Sequence, residues 1–235
     1  MRIHKNLDRG ICNILTRMPR IGIHKKPKIY EGTCNLLDEM PKWKIEGRTP
    51  LSVAELMQRR LEVRNTPYEN NHFLTNNYDT IDAVAYHPRG KVKIVRNSQH
   101  IKDLNPESVL MDRALLLHDG EYEALPGQEF TRAELNGYLE VYQSETEAIA
   151  NLVWKTVVGD QELLNDYVKY IFGANRKIFS CHGTMMHVHL DSETESVADF
   201  PHLRNLTLEG LQHITPKSNL LSYNLDNGGY NRLAE

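Results

Sequence analysis

The chain has 235 residues, 40% of them hydrophobic and 25% charged, with a formal net charge of −3. That length buries a core without covalent staples, and its three cysteines (Cys12, Cys34, Cys181), odd in number and without a CxxC pair, exclude a disulfide framework and a cysteine zinc site. No apolar run approaches a membrane span and no signal-peptide core follows the N-terminal charges, so the expected setting is a reducing compartment or an assembled particle formed there, neither secreted nor on a membrane.

The charge is segregated. Residues 1–28 hold eight basic side chains (Arg2, Lys5, Arg9, Arg17, Arg20, Lys25, Lys26, Lys28) against one acid, Asp8, while residues 29–235 hold 20 basic and 30 acidic ones. A basic block on an acidic body is the pattern of an interaction tail. Arg-rich, acid-poor leaders also mark organelle transit peptides, but a retained arm is the expectation here.

Residues 1–50 read as a largely irregular arm, punctuated by Pro19, Pro27, Pro41 and Pro50, with apolar residues enough for one short helix near 8–18. Residues 51–235 read as a single α+β domain. Its first helix opens at Ser52, where Ser52 and Glu55 form a capping box and Leu51 and Leu56 a hydrophobic staple. The polar, Asn-rich run 65–79 reads as a loop. Antiparallel hairpins follow over about 83–125: 83–86 with 92–95 around Pro88-Arg89-Gly90, and 114–118 with 121–125 around Asp119-Gly120.

A three-helix segment is expected over about 131–172. Capping boxes at Thr131/Glu134 and Ser144/Glu147 start the first two runs, which break near Gln143; Gly159 stops the second, Asp160 caps the third, and Gly173 ends it. Leu164, Tyr167, Val168 and Ile171 share one side of that last helix. Short strands at 177–180, 185–190 and 206–208 and a turn at 227–231 complete the chain.

The candidate chemistry sits in the C-terminal third. In His187-Val188-His189-Leu190-Asp191, a strand places His187, His189 and Asp191 on one face, a donor set suited to Zn²⁺ or another divalent metal, with Glu193 or His213 able to complete it. H-x-H followed by Glu193 resembles part of a cupin motif, but the framing glycines are absent, as is the final His of a metallo-β-lactamase pattern. The same letters describe a half-buried strand with Met186, Val188 and Leu190 inward, and that reading is preferred. His182-Gly183-Thr184 and His213-Ile214-Thr215 resemble the paired H-x-T motifs of two-histidine phosphoesterases, at a spacing too short for that fold. Cys181 and His182 are neighbours whose side chains would diverge on a strand. Arg59-Arg60 and Lys91/Lys93 read as solvated basic spots. Walker, dinucleotide and G-x-S-x-G signatures are lacking.

The resulting expectation is a non-enzymatic structural or assembly protein without a cofactor. Its basic arm docks onto copies of itself, other subunits or the phosphate backbone of nucleic acid in a virion-like or nucleoprotein particle. A metal-dependent enzyme or metal-binding domain using His187, His189 and Asp191, and a regulatory or inhibitor protein, are the alternatives.

Overall fold

A computed structural model describes residues 28–30, 36–66, 76–138, 144–178, 185–190, 199–210, 217–223, 225 and 231–234. The described strands are β1 (Lys28–Tyr30), β2 (Tyr78–His87), β3 (Lys91–Val95), β4 (Leu110–Met111), β5 (Ala114–Leu116), β6 (Gln128–Thr131), β7 (Met185–His189), β8 (His202–Leu208), β9 (Lys217–Tyr223) and β10 (Asn231–Ala234). The helices are α1 (Leu36–Glu46), α2 (Val53–Glu62), α3 (Gln99–Lys102), α4 (Asp119–Ala124), α5 (Arg132–Asn136), α6 (Glu145–Ala150), α7 (Leu152–Val158) and α8 (Gln161–Ile178). The architecture is α+β, as the sequence predicts.

The strands form one sheet around the antiparallel pair β2–β8, and it forks at both long strands. On one edge of β2, Tyr78 and Asp79 pair in parallel with β10, while Ala83 to His87 pair with β3. On the outer edge of β8, His202 and Leu203 pair with β5 and Asn205 to Leu208 with β9. Further strands attach to these: β1 to β10, β6 to β3, β4 to β5, and β7, in parallel, to β9. Flanked on both edges and covered on both faces, every residue of β2 and β8 is buried.

Alternation along β2 feeds two cores. Tyr78, Val84 and Tyr86 pack with α2, α7, α8 and the inward residues of β7 and β9. Ile81, Ala83 and Ala85 face Leu36, Met40 and Trp43 of α1, with Ile101, Tyr122 and Leu203. A bulge separates the two registers, because Asp79 opposes Thr207 and Ala83 opposes Asn205, leaving three residues of β2 against Leu206 alone. Within it the Thr80 hydroxyl donates to Leu206 O (2.7 Å), and Asp82 accepts from the backbone N–H of Val53 (2.7 Å) and of Asn97 (2.7 Å). One carboxylate thereby fixes the start of α2 and the turn after β3.

Local signals hold where they are self-contained. Ser52/Glu55, Thr131/Glu134 and Ser144/Glu147 all form complete capping boxes, Gly159 caps α7 at φ 68°, and Asp160 Oδ1 accepts from Glu162 and Leu163 N–H. The expected hairpin of 83–86 with 92–95 forms as β2–β3, with Ala83 opposite Val95 and Tyr86 opposite Val92.

Four expectations need correction. Residues 36–46, assigned to the irregular arm, form α1, because Leu36, Met40 and Trp43 recur at helical spacing and their burial outweighs the hydrogen bond lost at Pro41. Asp119-Gly120 opens α4, where Glu121 reaches back to the His118 N–H (2.7 Å), instead of turning a hairpin. The hairpin lies upstream, between β4 and β5, with Asp112 (φ 46°) and Arg113 (φ 63°) supplying the left-handed pair that a two-residue turn requires. The segment after Ser144 holds an extra joint at Asn151, whose Oδ1 accepts from the Val153 and Trp154 N–H, and α8 continues through Gly173 to Ile178, over the start of the expected strand 177–180. The expected helix at 8–18 and most of the 227–231 turn lie outside the described residues, as do residues 139–143 around the expected break.

Trp43→Ala should cost about 3–5 kcal/mol in urea unfolding, since a fully buried indole is removed from the second core; a negligible change would separate α1 from the body. Burial pushes the Asp82 carboxyl up to about 6 from 3.8, against the opposing pull of its two backbone donors and of Arg96. A carboxyl with a raised folded pKa gives its full contribution below pH 3.8 and loses it as the pH rises toward about 6. Asp82→Asn turns an amide NH₂ toward a backbone donor, so the variant should be less stable by about 1–3 kcal/mol. Its deficit should be wider at acidic than at neutral pH, measured by urea unfolding at both.

Candidate functional site

The histidine strand forms as β7, paired in parallel with β9 in a register that sets His187 opposite Asn219. Met186, Val188 and Leu190 are buried in the first core and His189 is exposed, which is the alternation of a half-buried strand. The His187 side chain and Asp191 lie outside the described residues, as do Cys181, His182, Thr184, Glu193, His213 and Thr215. Among the described residues no three His, Cys, Asp or Glu side chains come together as a metal site.

Other histidines have structural posts. The His87 Nδ1 accepts from the Arg89 N–H (3.1 Å), and its Nε2 faces Asp119 Oδ1 at 3.6 Å. His202 stacks on Tyr86 with ring centroids 5.2 Å apart, and its Nδ1 lies 3.0 Å from Phe200 O, a carbonyl that can only accept. Burial pushes its pKa down, helped by the Arg204 and Arg132 charges. The ring thus packs across the β2–β8 pair.

Of the basic arm, Arg2, Lys5, Arg9, Arg17, Arg20, Lys25 and Lys26 lie outside the described residues, and Lys28 begins β1. Strand β1 sits at the margin of the sheet, paired only with β10 among the described strands, so the arm is rooted there with Lys28 opposite Ala234.

The acidic surface of the body is best defined beside the β2–β3 turn. Asp119, Glu121 and Glu123 on α4, Glu129 on β6 and Glu134 on α5 are all exposed. The Lys91 ammonium bridges Glu129 (3.2 Å) and Glu123 (3.6 Å), and these carboxylates hold its pKa above the ordinary lysine range. Beneath them Lys93 is buried. It donates to the carbonyls of Tyr122 (3.0 Å) and Glu123 (3.1 Å) and lies 4.8 Å from the Tyr122 ring centroid.

The reading of Lys93 and Arg60 as solvated is therefore corrected. Arg60 is 1% exposed and donates to Tyr167 Oη (2.6 Å), Glu209 O (3.3 Å) and Asn76 O (3.2 Å), while Tyr167 Oη meets Ser218 Oγ at 3.1 Å. Their partners come from distant segments, which the local pattern of either residue does not announce. The acids of α4 were missed as a group because Asp119-Gly120 reads as a turn; the spacing of His118 and Glu121 was the available signal.

No protein-family model matches the sequence, and no curated protein matches it. A solved structure does, over 89% of this chain and 97% of its own, with a TM-score of 0.59 and 12% identity. It is described as the accommodation of massive sequence variation in Nanoarchaeota by the C-type lectin fold. The present chain shares the C-type lectin fold. At that identity the likeness carries architecture and no function. Among the described residues no helix is long and apolar enough to cross a membrane.

Elemental analysis should find no stoichiometric zinc or iron in purified protein, and His189→Ala should change stability by less than about 0.5 kcal/mol, as for an exposed surface position. A bound metal lost in that variant would instead establish the histidine site.

Proposed function

We propose that the protein is a non-enzymatic binding and assembly protein, its C-type lectin body tied to neighbouring subunits by the basic leading segment. The observation that carries this reading is the charge division: eight basic residues and one acid in residues 1–28, against 20 basic and 30 acidic beyond them. Opposite signs on two parts of one chain let one copy's arm lie on the next copy's body, with complementarity that favours encounter and is screened by salt. The exposed acids of α4, β6 and α5 offer such a surface, and β1 roots the arm at the sheet margin. The neighbour's description, a C-type lectin fold accommodating massive sequence variation, supports treating the body as a scaffold whose exposed positions are free to serve binding. A virion-like or nucleoprotein particle is the setting that fits, with the phosphate backbone as the arm's second partner.

Removal of residues 1–27 keeps β1 and deletes the arm. In size-exclusion chromatography with light scattering, the whole chain should form assemblies at low salt that dissociate as salt rises, while the truncated chain stays monomeric. Co-eluting nucleic acid, read from ultraviolet absorbance, would identify the phosphate partner. Assembly unchanged by the truncation would overturn the proposal.

A further inference from the structure

Between the end of β3, the start of β6 and the last turn of α7 lies a cleft of about 350 Å³, within the size range of small-molecule sites (about 300–1,000 Å³). Two glycines permit its shape. Gly127 (φ 149°) lies so close to Ile94 that a Cβ would overlap the Ile94 carbonyl, and Gly159 (φ 68°) carries the Arg96 guanidinium where a Cβ would stand.

The cleft presents donors and no carboxylate. Arg96 and Lys155 line it, and neither makes a hydrogen bond or ion pair through its side chain among the described residues. The Thr156 hydroxyl lies 2.8 Å from Leu152 O and 2.8 Å from the Gln128 side-chain amide, which is thereby held against α7.

The nearby acids are committed elsewhere. Glu129, the next residue of β6, pairs with Lys91 at 3.2 Å; Asp160 Oδ1 caps α8; and both oxygens of Asp82, whose field reaches Arg96, accept backbone N–H. The C-terminal carbonyls of α7 offset part of the positive charge. Two cations and the apolar ring of Pro126 remain.

We infer that this cleft binds the phosphate or carboxylate head of a small molecule. Arg96 and Lys155 hold the oxyanion through charge-assisted hydrogen bonds, and the exposed ring of Pro126 meets the carbon body. The assignment is independent of the assembly reading, since it uses no residue of the arm.

The test is calorimetric titration of the full chain with inorganic phosphate, phenyl phosphate and benzoate at fixed ionic strength. Phenyl phosphate should bind more tightly than inorganic phosphate, and the ranking of phenyl phosphate against benzoate tells which head the cleft prefers. Arg96→Ala and Lys155→Ala should each weaken binding about tenfold or more. Arg64→Ala, an exposed cation elsewhere, should leave it unchanged and so separate the cleft from general attraction to surface cations. Lys155 is exposed on α7, so Lys155→Ala tests the site even where Arg96→Ala disturbs the Gly159 turn. Failure of all three probes to bind, or unaltered affinity in both cleft variants, would overturn the inference.

Discussion

The bulge in β2 is the constraint on which the rest of the body rests. Three residues of one strand stand against one of another, which would leave backbone groups unpaired in the interior were they not taken up by side chains. Thr80 takes the Leu206 carbonyl, and Asp82 takes the Val53 and Asn97 N–H groups. On the β8 side, Asp79 Oδ1 accepts from Asn205 Nδ2 (3.0 Å) and Thr207 Oγ1 (2.8 Å). A buried carboxylate is costly unless its lone pairs are used, and here they are used to set where α2 begins and how the chain leaves β3. The first core then follows, because α2 brings Leu56, Met57 and Arg60 against the sheet and against α8.

The same turn after β3 delivers Arg96 to the edge of α7. Gly159 is set by the αL cap of α7, and the end of the exposed Arg96 side chain lies over its bare backbone. Helix termination, a buried carboxylate and a cationic cleft are three faces of one local arrangement.

What could be read from the sequence divides along the range of the interactions. Capping boxes at Ser52, Thr131 and Ser144 are local statements, complete within four residues, and they survive folding intact. The apolar side of α8, Leu164, Tyr167, Val168 and Ile171, is fully buried as its period implies. Strands β9 and β10 escaped notice because Lys217-Ser-Asn and Asn231-Arg are poor strand formers, and β10 is held by β1 and β2, remote in the chain. The β4–β5 turn escaped because Asp112-Arg113 lacks glycine; the buried Arg204 braces it through the Asp112 carbonyl (3.2 Å). The candidate site shows the same division. The strand bearing His187 and His189 was visible as a period-two pattern, whereas Arg96 in the turn after β3, Gln128 on β6 and Lys155 on α7 announce nothing in isolation.

The pairing of β1 with β10, and of β10 with β2, has a mechanical side. A tether attached at Lys28 pulls first on a three-residue antiparallel ribbon, and through β10 on the beginning of the ten-residue strand β2. Load arriving from a captured neighbour would thus converge on Tyr78 and Asp79, immediately ahead of the kink that sets the geometry of the interior. The anchorage and the bulge are adjacent, so a pull on the leading segment would bear directly on the strand that organises both cores.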